Sequence, residues 1–186
     1  MEIVLASQSP RRRELIGLLN IPFRVQVADI DETMDPEKPV YDEVARVSLQ
    51  KALAIGAADE VVVAADTVVV CDGKVLGKPK DQSDAYRMLT TLSGRTHQVM
   101  TGLSVVNGSK TLSVTEVTDV TFRPLTAEEI WAYIDTKDPM DKAGSYGIQS
   151  GGALFVERIS GDYFNVVGLP VCRLGQMLKE ILEDQA

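Results

Sequence analysis

The sequence predicts an α/β fold in which helices flank a mixed sheet. Segments of strand period and helix period alternate along the chain, and one β-branched run, Val61–Cys71, is apolar enough to lie in the middle of a sheet. Two dipeptides, Asp72-Gly73 and Asn107-Gly108, mark tight hairpins, which a purely parallel, doubly wound sheet does not use. At 186 residues the chain is the size of one domain, or one core divided by a cleft.

The elements follow in order. Ile3–Ala6 is a short apolar strand broken by Ser7-Gln8-Ser9-Pro10. A helix runs from Arg11 to about Asn20, with Ser9 as N-cap, Pro10 as its first residue and Leu15, Leu18 and Leu19 as its apolar face. Phe23–Ala28 alternates through Phe23, Val25 and Val27 as a second strand, and Thr33–Val40, with two prolines, is a loop. From Tyr41 to about Ala57 the period is helical, with Val44, Ala45, Ser48, Leu49, Ala52 and Ile55 on one side. The run Val61–Cys71 turns back at Asp72-Gly73 onto Lys74–Leu76. Asp81 caps a helix that Ser93-Gly94 ends, and two long strands, Gln98–Val106 and Thr111–Arg123, meet at Asn107-Gly108. Thr126 with Glu129 forms a capping box for a helix through Asp135. Lys137–Gly152 is a loop long enough to carry function, Ala153–Ile159 and Tyr163–Val167 pair as strands, and Leu169–Leu182 is the closing helix.

Composition excludes several classes. Hydrophobic residues make up 45% and charged residues 25%, as in an ordinary globular chain, which argues against collagen-like, coiled-coil and disordered classes. The net charge of −8 disfavours broad adhesion to nucleic acid polymers or anionic membranes. No apolar run approaches the ~20 residues of a bilayer span, and the N-terminus lacks the basic region of a signal peptide, so a cytoplasmic location is expected. Cys71 and Cys172 are isolated and read as small core hydrophobes rather than as a zinc site or disulfide. A covalent triad would have to run through His97, the only histidine, and no nucleophile elbow accompanies it.

The segment Ser7-Gln8-Ser9-Pro10-Arg11-Arg12-Arg13 is either a solvated basic turn or an anion site. Free N–H groups at a helix N-terminus, two serine hydroxyls and arginine forks all suit phosphate, although at most two of the arginines can face one ligand. A cation-rich first turn is electrostatically unfavourable until an anion offsets it. Asp66 interrupts the apolar run Val61–Val70; a carboxylate there needs a partner, and is either satisfied by backbone donors at a strand bend or serves as metal ligand or general base. Glu32, in the acidic segment Asp29–Glu32, can converge with it on a divalent cation, Mg²⁺ or Mn²⁺, or stay solvated. Lys51 lies at the edge of its helix's apolar stripe, the place of a snorkelling lysine, and Lys78 sits on the stiff Gly77–Pro79 turn. Together with Arg11, Arg12, Glu32 and Asp66 these lysines make up a parts list for phosphoryl chemistry. Gln149, in the loop Asp141–Gln149, carries a donor and acceptors that match a nucleobase edge, in what is otherwise a plain surface loop.

Five motifs in this order (Ser7–Arg12, Ala65-Asp66-Thr67, Gly77-Lys78-Pro79, Leu92–His97 and Asp141–Gln149) resemble the Maf family of nucleoside triphosphate pyrophosphatases over nearly the whole chain. The resemblance implies an elongated mixed sheet with two lobes around a central cleft, related to the inosine triphosphate pyrophosphatase architecture, in a homodimer. It implies metal-dependent addition of water between the α- and β-phosphates of a nucleoside triphosphate. Ser7, Arg12, Glu32, Lys51, Asp66, Lys78 and Gln149 would line the site, with Asp66 as proton acceptor and Glu32 and Asp66 on the metal. Arg11, Thr67 and Gln149 match the subgroup that is similar to dTTP/UTP pyrophosphatases. A link to inhibition of septum formation also belongs to the family, and a non-catalytic, nucleotide-responsive binding protein is the competing reading.

Overall fold

Strand β1, Ile3–Leu5, has all three side chains out of solvent and pairs in parallel with both β2, Phe23–Val25, and β3, Val61–Cys71. Parallel neighbours need long crossovers, and helices α1, Pro10–Gly17, and α2, Val40–Ile55, supply them. The computed structural model describes residues 2–56 and 60–183. Among these it has seven strands in one sheet, ordered β2-β1-β3-β5-β6-β7, with β4 paired to β3. The remaining strands are β4, Lys74–Leu76, β5, Thr96–Asn107, β6, Lys110–Phe122, and β7, Val156–Ser160. The further helices are α3, Gln82–Leu92, α4, Ala127–Asp135, α5, Tyr163–Val167, and α6, Val171–Glu183. The β3–β4 and β6–β7 pairs are antiparallel, so the sheet is mixed, as the hairpin dipeptides require. None of the described helices is long and apolar enough to cross a membrane.

Two compact units share the chain. The first comprises Met1–Thr67, Thr101–Glu116 and Phe164–Ala186, and the second comprises Val68–Met100 and Val117–Tyr163. In the first, Val4, Ala6, Val62, Ala64 and Val106 pack with Ala52 of α2, flanked by Leu49 and Ile55. The three valines contribute roughly 1.5–3 kcal/mol each when fully buried, and the alanines less, at about 0.8 kcal/mol per buried carbon. Helix α2 lies directly on β5: a Cβ at Gly102 would sit 2.1 Å from the Val44 carbonyl oxygen, so only glycine permits this approach. Helix α6 buries Leu174, Met177, Leu178 and Ile181, the i, i+3, i+4, i+7 stripe of an amphipathic helix. In the second unit Tyr86 of α3 stacks on Trp131 of α4 at 4.7 Å, and Phe122, Tyr146, His97 and Phe155 form an edge-to-face aromatic core.

Local chemistry fixes several boundaries as expected. Ser9 caps α1, Asp81 accepts the Asp84 N–H at the start of α3, and the Thr126–Glu129 capping box is complete. Other expectations are corrected. Strand β2 stops at Val25, leaving Val27 exposed, and α1 ends at Gly17 and buries Leu15 and Ile16 while Leu18 is exposed. Helix α2 also buries Glu43 and Val47, and it is capped by Gly56 in the left-handed conformation; Ala57, its expected end, lies outside the described residues. Residues 138–154 include three short 3-10 turns, and β7 begins only at Val156, so Ala153, Leu154 and Phe155 are not strand. Tyr163–Val167 is helical although its residues favour strands: the chain turns at Gly161, at φ 126°, and does not return along β7, which ends the strand order beside β6. Cys71 is buried, but Cys172 is exposed, on the outer side of α6.

Candidate active site

The first unit gathers charged groups where β1 ends. Beyond β1 the chain passes through Ser7 into the capped N-terminus of α1, at the carboxyl end of a parallel strand, where ligands of α/β sheets bind. Arg12, in the first turns of α1, is the hub. Its Nε donates to the Gly168 carbonyl at 2.8 Å, Nη1 to Ser7 Oγ at 3.2 Å and Nη2 to Thr67 Oγ1 at 3.0 Å. The Thr67 and Thr101 hydroxyls lie 2.9 Å apart, and Thr101 donates to the Asn165 carbonyl at 3.2 Å. A consistent proton order therefore runs from Arg12 to Thr67 to Thr101 to the Asn165 oxygen. Burial lowers the Arg12 guanidinium from the ordinary arginine range; Asp66 opposes this, Arg11 adds to it, and Glu32 opposes it again. The guanidinium thus sits within the field of both carboxylates.

Strand period explains why Asp66 and Thr67 serve different neighbours. Val62 and Ala64 pack against α2, and Asp66, two residues further, faces the same way. There the Lys51 ammonium of α2 donates to Asp66 Oδ1 at 2.7 Å and lies 3.2 Å from Glu32 Oε1. Lys51 and Asp66 side chains are 13% and 14% exposed and Glu32 is 57% exposed, so the group has a dry end and a wet end. Asp66 lies within an unbroken strand and is answered by Lys51, not by backbone donors at a bend. Lys51 in turn aims its charge at two carboxylates instead of snorkelling to water. Among the described residues Asp66 Oδ2 takes no protein partner, and neither Arg11 nor Lys78 has a carboxylate partner.

Glu32 and Asp66 offer hard oxygen donors to one point, and no group of three His, Cys, Asp or Glu side chains converges among the described residues. Two carboxylates suit a Mg²⁺ or Mn²⁺ ion that takes its other ligands from phosphate oxygens and water. Lys78 and Gln149 belong to the second unit, and both are exposed. There the Gly77 carbonyl accepts from Gly144 N–H at 3.0 Å, which ties the Lys78 turn to the loop that bears Gln149. That loop is braced by Asp138, which accepts from Tyr133, Ser150 and Lys142. His97 is a core residue of the second unit, its Nε2 2.7 Å from the Tyr146 hydroxyl. Sequence reasoning missed Thr101 and the Gly168 carbonyl as Arg12-side partners, because they come from distant segments that carry no local signature.

Comparison with known proteins follows the same lines. Residues 2–181 match the family described as Maf-like protein. The chain is 50% identical over 181 residues to the dTTP/UTP pyrophosphatase of Bacillus cytotoxicus, covering 96% of this chain and 95% of that protein. It is 46% identical over 185 residues to the dTTP/UTP pyrophosphatase of Bacillus mycoides, covering 98% and 97%. Among solved structures a HAM1 protein from Coxiella burnetii superposes with TM-score 0.54 at 17% identity, over 97% of this chain and 99% of that one. The Ham1 protein of Staphylococcus aureus gives 0.51 at 14%, over 97% and 98%. At such identities these two speak to the fold alone, and they agree with the mixed α/β architecture. A match that runs from residue 2 to residue 181, through the Ser7–Arg12 turn and the Asp66 strand alike, makes this chain a member of the Maf family.

Proposed function

We propose that this chain is a metal-dependent nucleoside triphosphate pyrophosphatase that converts dTTP and UTP to the nucleoside monophosphate and pyrophosphate. The observation that carries the reading is the meeting of Asp66 and Glu32 on Lys51, in the electrostatic field of Arg12. The names of the Bacillus relatives support the substrate class. Cleavage of a phosphoanhydride leaves negative charge on the departing pyrophosphate, and Arg12, Arg11, Lys51 and the Ser7 hydroxyl are the groups of the first unit suited to receive phosphate oxygens. Asp66 takes the proton of the attacking water: Lys51 occupies Oδ1, and Oδ2 is left for that proton. A Mg²⁺ or Mn²⁺ ion held by Glu32 and Asp66 would withdraw charge from phosphate oxygens and acidify a bound water. Lys78, as a further phosphate cation, Thr67, as a substrate-binding hydroxyl, and Gln149, at the nucleobase edge, enter on likeness of sequence. The proposal extends to a cytoplasmic homodimer acting on free nucleotides, with sedimentation as the measure of assembly.

The test is the product pair. Incubation with dTTP and Mg²⁺ yields dTMP and pyrophosphate in equal amounts; dTDP with orthophosphate overturns the reaction type. Asp66→Asn keeps the fold and loses ~10²-fold or more in turnover, the scale of a lost general base. A panel of dTTP, UTP, CTP, 5-methyl-UTP and 7-methyl-GTP defines the base preference. Tight binding with no turnover across that panel leaves the non-catalytic reading standing instead.

A further inference from the structure

Glu43 is a buried carboxylate that the proposed chemistry does not use. It lies in the first turn of α2, is 2% exposed, and is saturated: Arg46 Nε donates to Oε1 at 2.8 Å, while Arg46 Nη2 and the Asp35 N–H each donate to Oε2 at 2.7 Å. Arg46 Nη2 also donates to the Thr33 carbonyl at 2.9 Å, and the Thr33 N–H donates to Asp31 Oδ1 at 2.9 Å. Both backbone polar groups of Thr33, the residue after Glu32, are therefore fixed. Residues 26–35 contain no regular structure that could do this instead. The Glu32 side chain is more than half exposed, and its charged partner is Lys51, so the position of its carboxylate is set mainly by its backbone. Only the carboxylate of this pair is buried, the Arg46 side chain being 34% exposed, and a bidentate guanidinium is what offsets the cost of keeping Glu43 out of water.

We infer that Glu43 and Arg46 are positioning residues for Glu32: they hold the loop so that its carboxylate meets Lys51 beside Asp66. The inference rests on the proposed role of Glu32. Misplacing a site group by about 1 Å can cost up to ~10²-fold in rate. Arg46→Met, which keeps the apolar stem and helix propensity, should lower kcat/KM for dTTP by ~10-fold and raise the Mg²⁺ concentration for half-maximal rate several-fold. Arg46→Lys, which keeps a donor for the Thr33 carbonyl, should recover part of both.

The deciding measurement repeats Arg46→Met in a Glu32→Gln background, with thermal melts on every variant. If Arg46 acts through Glu32, its loss adds less than ~2-fold there. The same ~10-fold loss in both backgrounds, or an unchanged Mg²⁺ requirement, overturns the inference. If Arg46→Met does not fold, Glu43→Gln is the second route, because it keeps an acceptor for Asp35 N–H and weakens only the tie to Arg46; the same criteria apply to it. A fully active Glu32→Gln defeats the reading of the site itself, whereas a crippled Glu32→Gln beside a normal Arg46→Met defeats only the positioning role.

Discussion

Acidification from about pH 7.5 to about pH 5 should remove roughly 2 kcal/mol of stability through one imidazole. His97 is 2% exposed, edge-on to Phe122 at 5.1 Å and to Tyr146 at 5.4 Å, and its Nδ1 has no partner among the described groups. Burial holds its pKa down to about 4, against 6.5 for a free imidazole. Between those two values the unfolded chain binds a proton that the folded chain does not. Stability is therefore constant above about pH 6.5 and falls as the pH drops towards 4. At about 1.4 kcal/mol per pKa unit the full displacement is worth about 3 kcal/mol, of which some 2 kcal/mol is lost by about pH 5. Burial raises the Tyr146 phenol, so it stays neutral and offers no counter-charge. Glu43 and Glu129 are held at about 2 by Arg46 and Arg123, so their contribution is lost only below about pH 4.5, in a separate window. Urea unfolding across this range, on wild type and on His97→Gln, reads the effect: the variant, neutral and still able to bond Tyr146, should show a flat profile down to about pH 5. Parallel decline in both proteins, or a flat wild type, would refute the argument.

Gly102→Ala places a Cβ 2.1 Å from a backbone oxygen of α2 and should cost about 3 kcal/mol or more in urea unfolding, whereas Gly17→Ala, with nothing within 4 Å, should be neutral or slightly stabilising. Arg12→Lys keeps the charge but cannot reach Gly168, Ser7 and Thr67 at once; kcat/KM for dTTP should fall at least ~10-fold, with about 1–3 kcal/mol lost in chemical denaturation. The double exchange Asp66→Thr with Thr67→Asp preserves composition but moves the carboxylate to the other side of β3, away from Lys51. Turnover of dTTP should fall as far as in Asp66→Asn, and near wild-type turnover would show that the facing of the carboxylate is immaterial.

What could be read in advance was what local chemistry decides. Strand β3 was legible to the residue because an eleven-residue β-branched run ends in Asp72-Gly73, and a turn of that kind fixes its partner β4 by geometry. Helix caps at Ser9, Asp81 and Thr126 were legible because each forms within three residues. Tyr163–Val167 was misread because strand propensity does not decide the path of the chain: β7 ends the strand order, yet the chain turns at Gly161 into a helix instead of returning beside it. The exposed Leu18 and Val27 show the same limit, since periodicity finds an apolar side but not where an element stops. In the site, Asp66 and the basic turn stood out as exceptions to their surroundings. The Lys51 tie joins residues 15 apart, and the Arg12–Gly168 tie joins residues 156 apart, beyond any local pattern.

The two polar residues of β3 do more than interrupt an apolar strand. Along Val61–Cys71 every residue is buried except Asp66 and Thr67, so the sheet opens at two consecutive positions. Consecutive side chains point to opposite sides, so two adjacent polar residues serve two different helices. Asp66 meets Lys51 from α2, and Thr67 meets Arg12 from α1. A single polar residue would engage only one of them. With both, the strand couples a carboxylate–ammonium pair to a guanidinium hub through one rigid peptide unit, and their spacing is held by the core, not by a loop. Glu32, by contrast, arrives on an irregular segment and depends on Glu43 and Arg46 to reach the same point. The two carboxylates thus differ in how they are held: Asp66 is fixed by the sheet, and Glu32 by an ion pair that one substitution can release.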